Sequence, residues 1–146
     1  MTWHKVARLK VANSSIARLK DKIRSLTTGH SSKSIKRVID ELIPVLRGWM
    51  SYFRYTQVKG VLEEIDSWLN RKIRCLLWRQ WKRPYTRAKK LMQAGLSEER
   101  AWSSACNQRG AWWNSGASHM NQAIKVAMLR RAGLLSLLEQ HRQFQR

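Results

Sequence analysis

The chain has 146 residues, 43% of them hydrophobic and eight of them Trp, and carries 29 Lys+Arg against 9 Asp+Glu for a net charge of +20. That length holds one domain or two small ones; the apolar and Trp content excludes a disordered basic tail, and seven Gly with two Pro exclude collagen-like or low-complexity structure. No run nears the roughly 18 apolar residues that span a bilayer, and the opening MTWHKVARLK lacks the apolar centre of a secretory signal, its Arg-rich, acid-poor character simply continuing along the whole chain.

In chain order, an N-terminal tail of residues 1–13 includes a short extended start around Val6–Val11. Asn13, Ser14 and Ser15 then offer helix N-caps, and Ile16, Leu19, Ile23 and Leu26 recur at helical spacing up to the breaker run Thr27–Ser32. A second helix is predicted over Lys33–Tyr55, with Ile35, Val38, Ile39, Leu42, Leu46, Trp49, Met50 and Phe53 on one face and Lys36, Arg47 and Arg54 along its edge. Pro44 lies inside it, which predicts a kink or a restart near Ile43. A third helix is predicted over Val58–Lys82, with Val61, Leu62, Ile65, Trp68, Leu69, Ile73, Leu76 and Leu77 in one apolar arc. Arg71, Arg74, Trp78, Trp81 and Lys82 fall opposite, so two Trp lie among cations: either a further helix covers them or they face a ligand.

Pro84 marks a boundary. Shorter helices follow: Tyr85–Ala94, ended by Gly95; Ser97–Asn107, with Ser97 as N-cap and Glu98 and Glu99 favourably placed in the first turn; a loop, Gln108–Gly116; Ser118–Arg131, stopped by Gly133; and a last amphipathic segment with Leu134, Leu135, Leu137 and Leu138. The reading is all-α: a three-helix bundle over residues 14–83, then a smaller basic unit of short helices over 84–146. Residues 1–83 hold 19 cations and 6 acids and residues 84–146 hold 10 and 3, so neither part is a neutral scaffold.

Catalytic chemistry finds little support. Cys75 and Cys106 form no disulfide framework and stand at no zinc-ligand spacing, which suits a reducing cytosol, and the four His are scattered. Most of the acids sit beside Lys or Arg as solvated helix partners, no carboxylate pair is spaced for two metals, and neither G-x-x-x-x-G-K-[ST] nor G-x-S-x-G occurs. We therefore expect no catalytic residue, no metal and no cofactor. The positive signal is cations interleaved with aromatics: Lys and Arg neutralise phosphates and release counterions, and Trp and Tyr stack on unpaired bases. The candidate surfaces are Lys36, Arg47 and Arg54 with Tyr52 and Tyr55; Arg71, Arg74, Trp78, Trp81, Lys82 and Arg83; Arg87, Lys89 and Lys90; and Arg109 with Trp112 and Trp113. Trp49 and Trp68, on apolar faces, read as core.

The segment Leu42-Ile-Pro-Val-Leu-Arg-Gly-Trp-Met-Ser-Tyr-Phe-Arg-Tyr55 resembles the L-N-P-x-L-R-G-W-x-x-Y-[FY] motif in the maturase-specific (X, or thumb) region of group II intron-encoded reverse transcriptases. Leu19–Thr27 is similar to that family's opening helix, and Ile65–Arg74 followed by Trp78-Arg-Gln-Trp-Lys-Arg83 to its third, which ends in W-x-x-W-K. Thr86-Arg87, Leu91, Gly95-Leu96, Arg109-Gly-Ala-Trp112 and Gly133-Leu134 are similar to the family's following DNA-binding region, so the resemblance covers about residues 14–142. It implies a three-helix thumb that grips RNA, and the candidate RNA-binding residues within it are Lys36, Arg47, Tyr52, Arg54, Tyr55, Arg71, Arg74, Trp78, Trp81, Lys82 and Arg83. It further implies a DNA-binding segment after the thumb, where the candidate residues are Arg87, Lys89, Lys90, Arg109, Trp112 and Trp113. The departures are Ile43 in place of the motif Asn and the lack of the paired aspartates of the family's polymerase palm. The implied function is a non-enzymatic module that assists folding and splicing of group II intron RNA, with target DNA and a separate fingers–palm polypeptide as further partners and no membrane. The alternatives are the thumb portion of a split RNA-directed DNA polymerase and a generic basic DNA-binding protein.

Overall fold

Helical spacing of Ile and Leu decides the first three elements. The computed structural model describes residues 13–28, 33–52 and 59–144, and among them every regular element is an α-helix. The expected extended start at Val6–Val11 and the side chains of Arg54 and Tyr55 lie outside the described residues. Helix α1 (Asn13–Thr27) buries Leu19, Ile23 and Thr27; α2 (Ile35–Tyr52) buries Val38, Ile39, Leu42, Leu46 and Met50, the predicted stripe. α2 runs through Pro44, so the predicted restart near Ile43 does not occur. Pro44 and Asp40 are both solvent-accessible, so the carbonyl that has no i+4 donor lies on a solvated face, which makes the proline tolerable there.

α3 (Lys59–Gln80) is the central rod. Leu62, Ile65, Leu69, Ile73 and Leu76 are buried as predicted, but so are Arg74, Cys75 and Trp78 on the other side. α3 packs on α1 and also on two helices from the far end of the chain, α6 (Ala111–Ser115) and α9 (Leu137–Phe144), and α9 reaches α2 as well. A helix with apolar residues on both sides belongs inside, and one continuous core runs from Leu19 to Leu137.

Polar side chains fix these packings. Asp66, midway along α3, accepts from the backbone N–H groups of Leu137 (2.8 Å) and Leu138 (3.1 Å) and from the Ser136 hydroxyl (2.9 Å), so it caps the start of α9 across about seventy residues of chain. It is a tertiary cap, not the solvated helix partner read from sequence. Gln80 Nε2 donates to the Lys33 carbonyl at 2.6 Å, tying the end of α3 to the chain entering α2.

After Pro84, which occupies the first turn of α4 (Pro84–Gln93), the chain turns into α5 (Glu98–Ala105). Gly95 takes φ +106°, and the Leu96 N–H reaches back to the Leu91 carbonyl at 3.1 Å, a left-handed C-cap that only glycine adopts freely. Ser97 caps α5 as expected, accepting from the Arg100 N–H. Two expectations need correction. The predicted loop Gln108–Gly116 contains helix α6, and the predicted helix Ser118–Arg131 is two, α7 (Ser118–Ala123) and α8 (Val126–Arg131). The break falls at Ile124, whose carbonyl accepts from Arg74 Nε at 2.8 Å.

Candidate nucleic-acid interface

Trp68, Arg71, Lys72 and Arg79 stand at i, i+3, i+4 and i+11 on α3, one stripe of a 3.6-residue helix. α1 lies beside it and supplies Lys20 and Arg24, themselves four residues apart. The Trp68 ring collects three cations: Lys20 Nζ at 5.3 Å, Arg24 Cζ at 5.4 Å and Lys72 Nζ at 5.8 Å from its centroid. Lys72 then bridges to the next ring, 5.7 Å from Trp112, which Arg71 covers at 4.0 Å. Beside it Arg109 stands 5.1 Å from Trp113. The result is an alternating cation–aromatic track crossing α1, α3 and α6. Each contact is worth about 0.5–1 kcal/mol at an exposed position.

The track concentrates like charge. Arg24 has a counter-ion in Asp21 at 2.9 Å, but both groups are well exposed and weakly coupled. Burial pushes the Lys72 ammonium below the usual lysine range, and the charges of Arg79 and Arg24 push the same way against an opposing pull from Cys75. A phosphate placed there relieves that crowding.

The α6 end of the track is held rigidly. Arg71 Nη2 donates to the Trp112 carbonyl at 2.8 Å and Arg71 Nε to Ser115 Oγ at 3.2 Å. A Cβ at Gly116 would come within 2.8 Å of the Arg71 guanidinium carbon, so glycine there leaves the clamp its seat. Wholly buried Asn114 donates through Nδ2 to the carbonyls of Arg109 (3.1 Å) and Gly110 (2.9 Å), and its Oδ1 accepts from Asn107 Nδ2 at 2.7 Å. His119 Nε2 meets the same Oδ1 at 2.9 Å. Because that oxygen only accepts, His119 carries its proton on Nε2. Burial and the charge of Arg100 hold this imidazole below the ordinary histidine range.

The expected site residues fall into three groups. Arg71, Arg109, Trp112 and Trp113 are brought together in the track, with Trp112 38% and Trp113 46% exposed. Lys36, Arg47 and the 77% exposed Tyr52 lie on α2, Lys82 and Arg83 at the α3–α4 corner, and Lys89 and Lys90 on α4; all are solvent-facing and take no part in the ring contacts that define the track. The third group turns inward. Trp78 (1% exposed) and Trp81 (8%) are core residues, tilted against each other at 6.4 Å, with His119 5.3 Å from Trp78. Later helices cover them, so they present no face to a base. Arg74 is buried on the Ile124 carbonyl, and Arg87 donates to the Trp78 carbonyl (3.1 and 3.2 Å) in the last turn of α3. Burial depresses the pKa of both guanidiniums. Both act as caps for carbonyls that the helices leave open.

Sequence reasoning missed Lys20, Arg24, Lys72 and the role of Trp68. Trp68 is half-buried at the edge of the core, its ring roofed by cations. The available signal was the i, i+4 pairing of Trp68 with Lys72 and of Lys20 with Arg24.

Among the described residues no helix is long and apolar enough to cross a membrane, and no group of three or more His, Cys, Asp or Glu is placed to hold a metal ion. The family model for the group II intron maturase-specific domain matches residues 16–95. No curated protein matches the chain.

Proposed function

The chain belongs to the group II intron maturase-specific family, and from that premise we propose that it is an RNA-binding module that assists the folding and splicing of group II intron RNA without polymerase chemistry of its own. The matched domain is maturase-specific and not a polymerase catalytic domain. The observation that carries the reading is the track through Lys20, Arg24, Trp68, Lys72, Arg71 and Trp112, which gathers cations from two helices around rings of two on one surface. Cations crowded together on a protein of net charge +20 find their counter-charge in a polyanion. Lys36, Arg47, Tyr52, Lys82 and Arg83 extend the RNA-facing set in this proposal; Arg109, Trp112 and Trp113, expected from sequence as DNA contacts, are assigned to RNA with the track they adjoin, and Lys89 and Lys90 remain the DNA-facing candidates.

The test is a filter-binding titration of the chain with a structured intron RNA across a salt series. We expect affinity in the nanomolar to micromolar range that falls steeply with salt. The triple variant Lys20→Gln/Arg24→Gln/Lys72→Gln is expected to flatten the log–log salt slope by about 2 to 3, close to one for each phosphate that is no longer neutralised. A flat salt response of the unaltered chain would overturn the proposal.

A further inference from the structure

The track ends in a feature that phosphate binding does not explain. Trp112 and Trp113 are adjacent, both partly exposed, and sit on the five-residue helix α6. Large aromatic surface left in water is unfavourable, and α6 is not left loose to hide it: Arg71 fixes the Trp112 carbonyl and Asn114 fixes the preceding turn. Trp112 has Arg71 at 4.0 Å and Lys72 at 5.7 Å from its ring, and Trp113 has Arg109 at 5.1 Å. A clamped indole backed by a guanidinium, with part of its surface still open, suits a nucleobase. A base inside a duplex is already stacked on its neighbours and has no free face; an unpaired base has one.

We propose that Trp112 and Trp113 form a stacking platform for unpaired nucleotides that continue from a helical RNA lying on the Lys20–Arg24–Lys72 part of the track. The proposal rests on the RNA-binding reading above and adds to it the kind of RNA: a junction between a duplex and a single strand. Two consecutive residues on a helix point about 100° apart, so the two rings take separate bases and not one sandwiched base. Stacking reads no particular sequence, so the platform selects for unpairedness rather than for base identity.

The experiment compares binding to a blunt RNA duplex with binding to the same duplex bearing a single-stranded tail, by fluorescence anisotropy of a dye on the RNA. The full chain is expected to favour the tailed RNA by about tenfold or more, the scale of one stacked base. The pair Trp112→Phe/Trp113→Phe keeps flat rings and is expected to retain most of that preference. The pair Trp112→Leu/Trp113→Leu keeps apolar bulk against the fold but removes the ring faces, and is expected to abolish the preference, the tailed RNA losing about tenfold more affinity than the blunt one until the two bind alike. Equal weakening toward both RNAs by the Leu pair, or an undiminished preference for the tail, would overturn the platform while leaving the RNA-binding function standing. Absence of salt-dependent binding to either RNA by the unaltered chain would overturn both.

Discussion

At the residue scale, the arginines of this basic chain divide between work inside and work outside. Arg71, Arg74 and Arg87 direct their donors to the carbonyls of Trp112, Ile124 and Trp78, where the backbone has no helical partner of its own. A guanidinium suits this because its fixed fork reaches several acceptors and its stem packs along apolar surface. His119 has the opposite constraint. It is buried beside Trp78 and Trp113, donates to Asn114, and is held below the ordinary histidine range. Its folded-state pKa lies below its unfolded value, so the unfolded chain takes up a proton first as the pH falls. Stability is therefore full above about pH 6.5, the ordinary histidine value, and declines as the pH drops from there toward the depressed folded-state value. Denaturant midpoints at pH 7.5 and 5.5 check this. His119→Gln keeps a donor for the Asn114 oxygen and does not titrate, so it is expected to lose less stability between the two values than the unaltered chain. Identical losses would remove His119 as the cause.

At the scale of elements, the outcome turns on how many faces a helix buries. α1 and α2 each bury one face, and their apolar stripes could be read directly from Leu19, Ile23, Val38, Ile39, Leu42 and Leu46. The caps at Ser97 and Gly133 were equally legible, because a serine before Glu98 and a glycine after Arg131 have local geometric reasons to be there. The sequence decides α3 only in part, because a wheel assigns one core face whereas α3 is covered on two sides by elements remote in sequence; of the two alternatives open for Trp78 and Trp81, a covering helix or a ligand, their burial fits the cover, with His119 of α7 on Trp78. The sequence predicts a loop at α6 because Gly110, Asn114, Ser115 and Gly116 are poor helix formers. It is helical because tertiary contacts hold it: the Asn114 amide satisfies the turn before it and Arg71 the carbonyl within it. Asn114→Ala would leave the buried His119 N–H without its acceptor and the Arg109 carbonyl without its donor, at a cost of about 1–3 kcal/mol. The loss should be local. Hydrogen exchange is expected to speed up over residues 109–116 well before it does in α2 or the middle of α3, and tailed-RNA binding should weaken with it. Uniform deprotection across the chain would show that α6 is not held separately by this amide.

At the scale of the whole molecule, the charge that recruits a polyanion also strains the free protein. Twenty-nine cations face nine acids, and although Lys33 and Glu41 form a partly buried pair, the pair at the track, Arg24–Asp21, is well exposed and worth little. Repulsion among Lys20, Arg24, Lys72 and Arg79 is therefore poorly offset within the fold. Salt shortens its reach, from about 10 Å at 0.1 M to about 3 Å at 1 M. The same screening weakens every phosphate contact in a complex. Salt thus acts with opposite sign on the two states: raising it is expected to increase the melting temperature of the free chain, by a few degrees for about 1 kcal/mol of relieved repulsion, while lowering that of the RNA complex toward the free value. Thermal denaturation followed by circular dichroism at several salt concentrations, with and without saturating RNA, measures both slopes in one series. Lys72→Gln, which removes the most crowded of these cations, should raise the low-salt melting temperature of the free chain and reduce the RNA-dependent increase. Were that variant to melt lower at low salt, Lys72 would be holding the α1–α3–α6 packing together through its contacts with Trp68 and Trp112, and the track would be a structural seam before it is a binding surface.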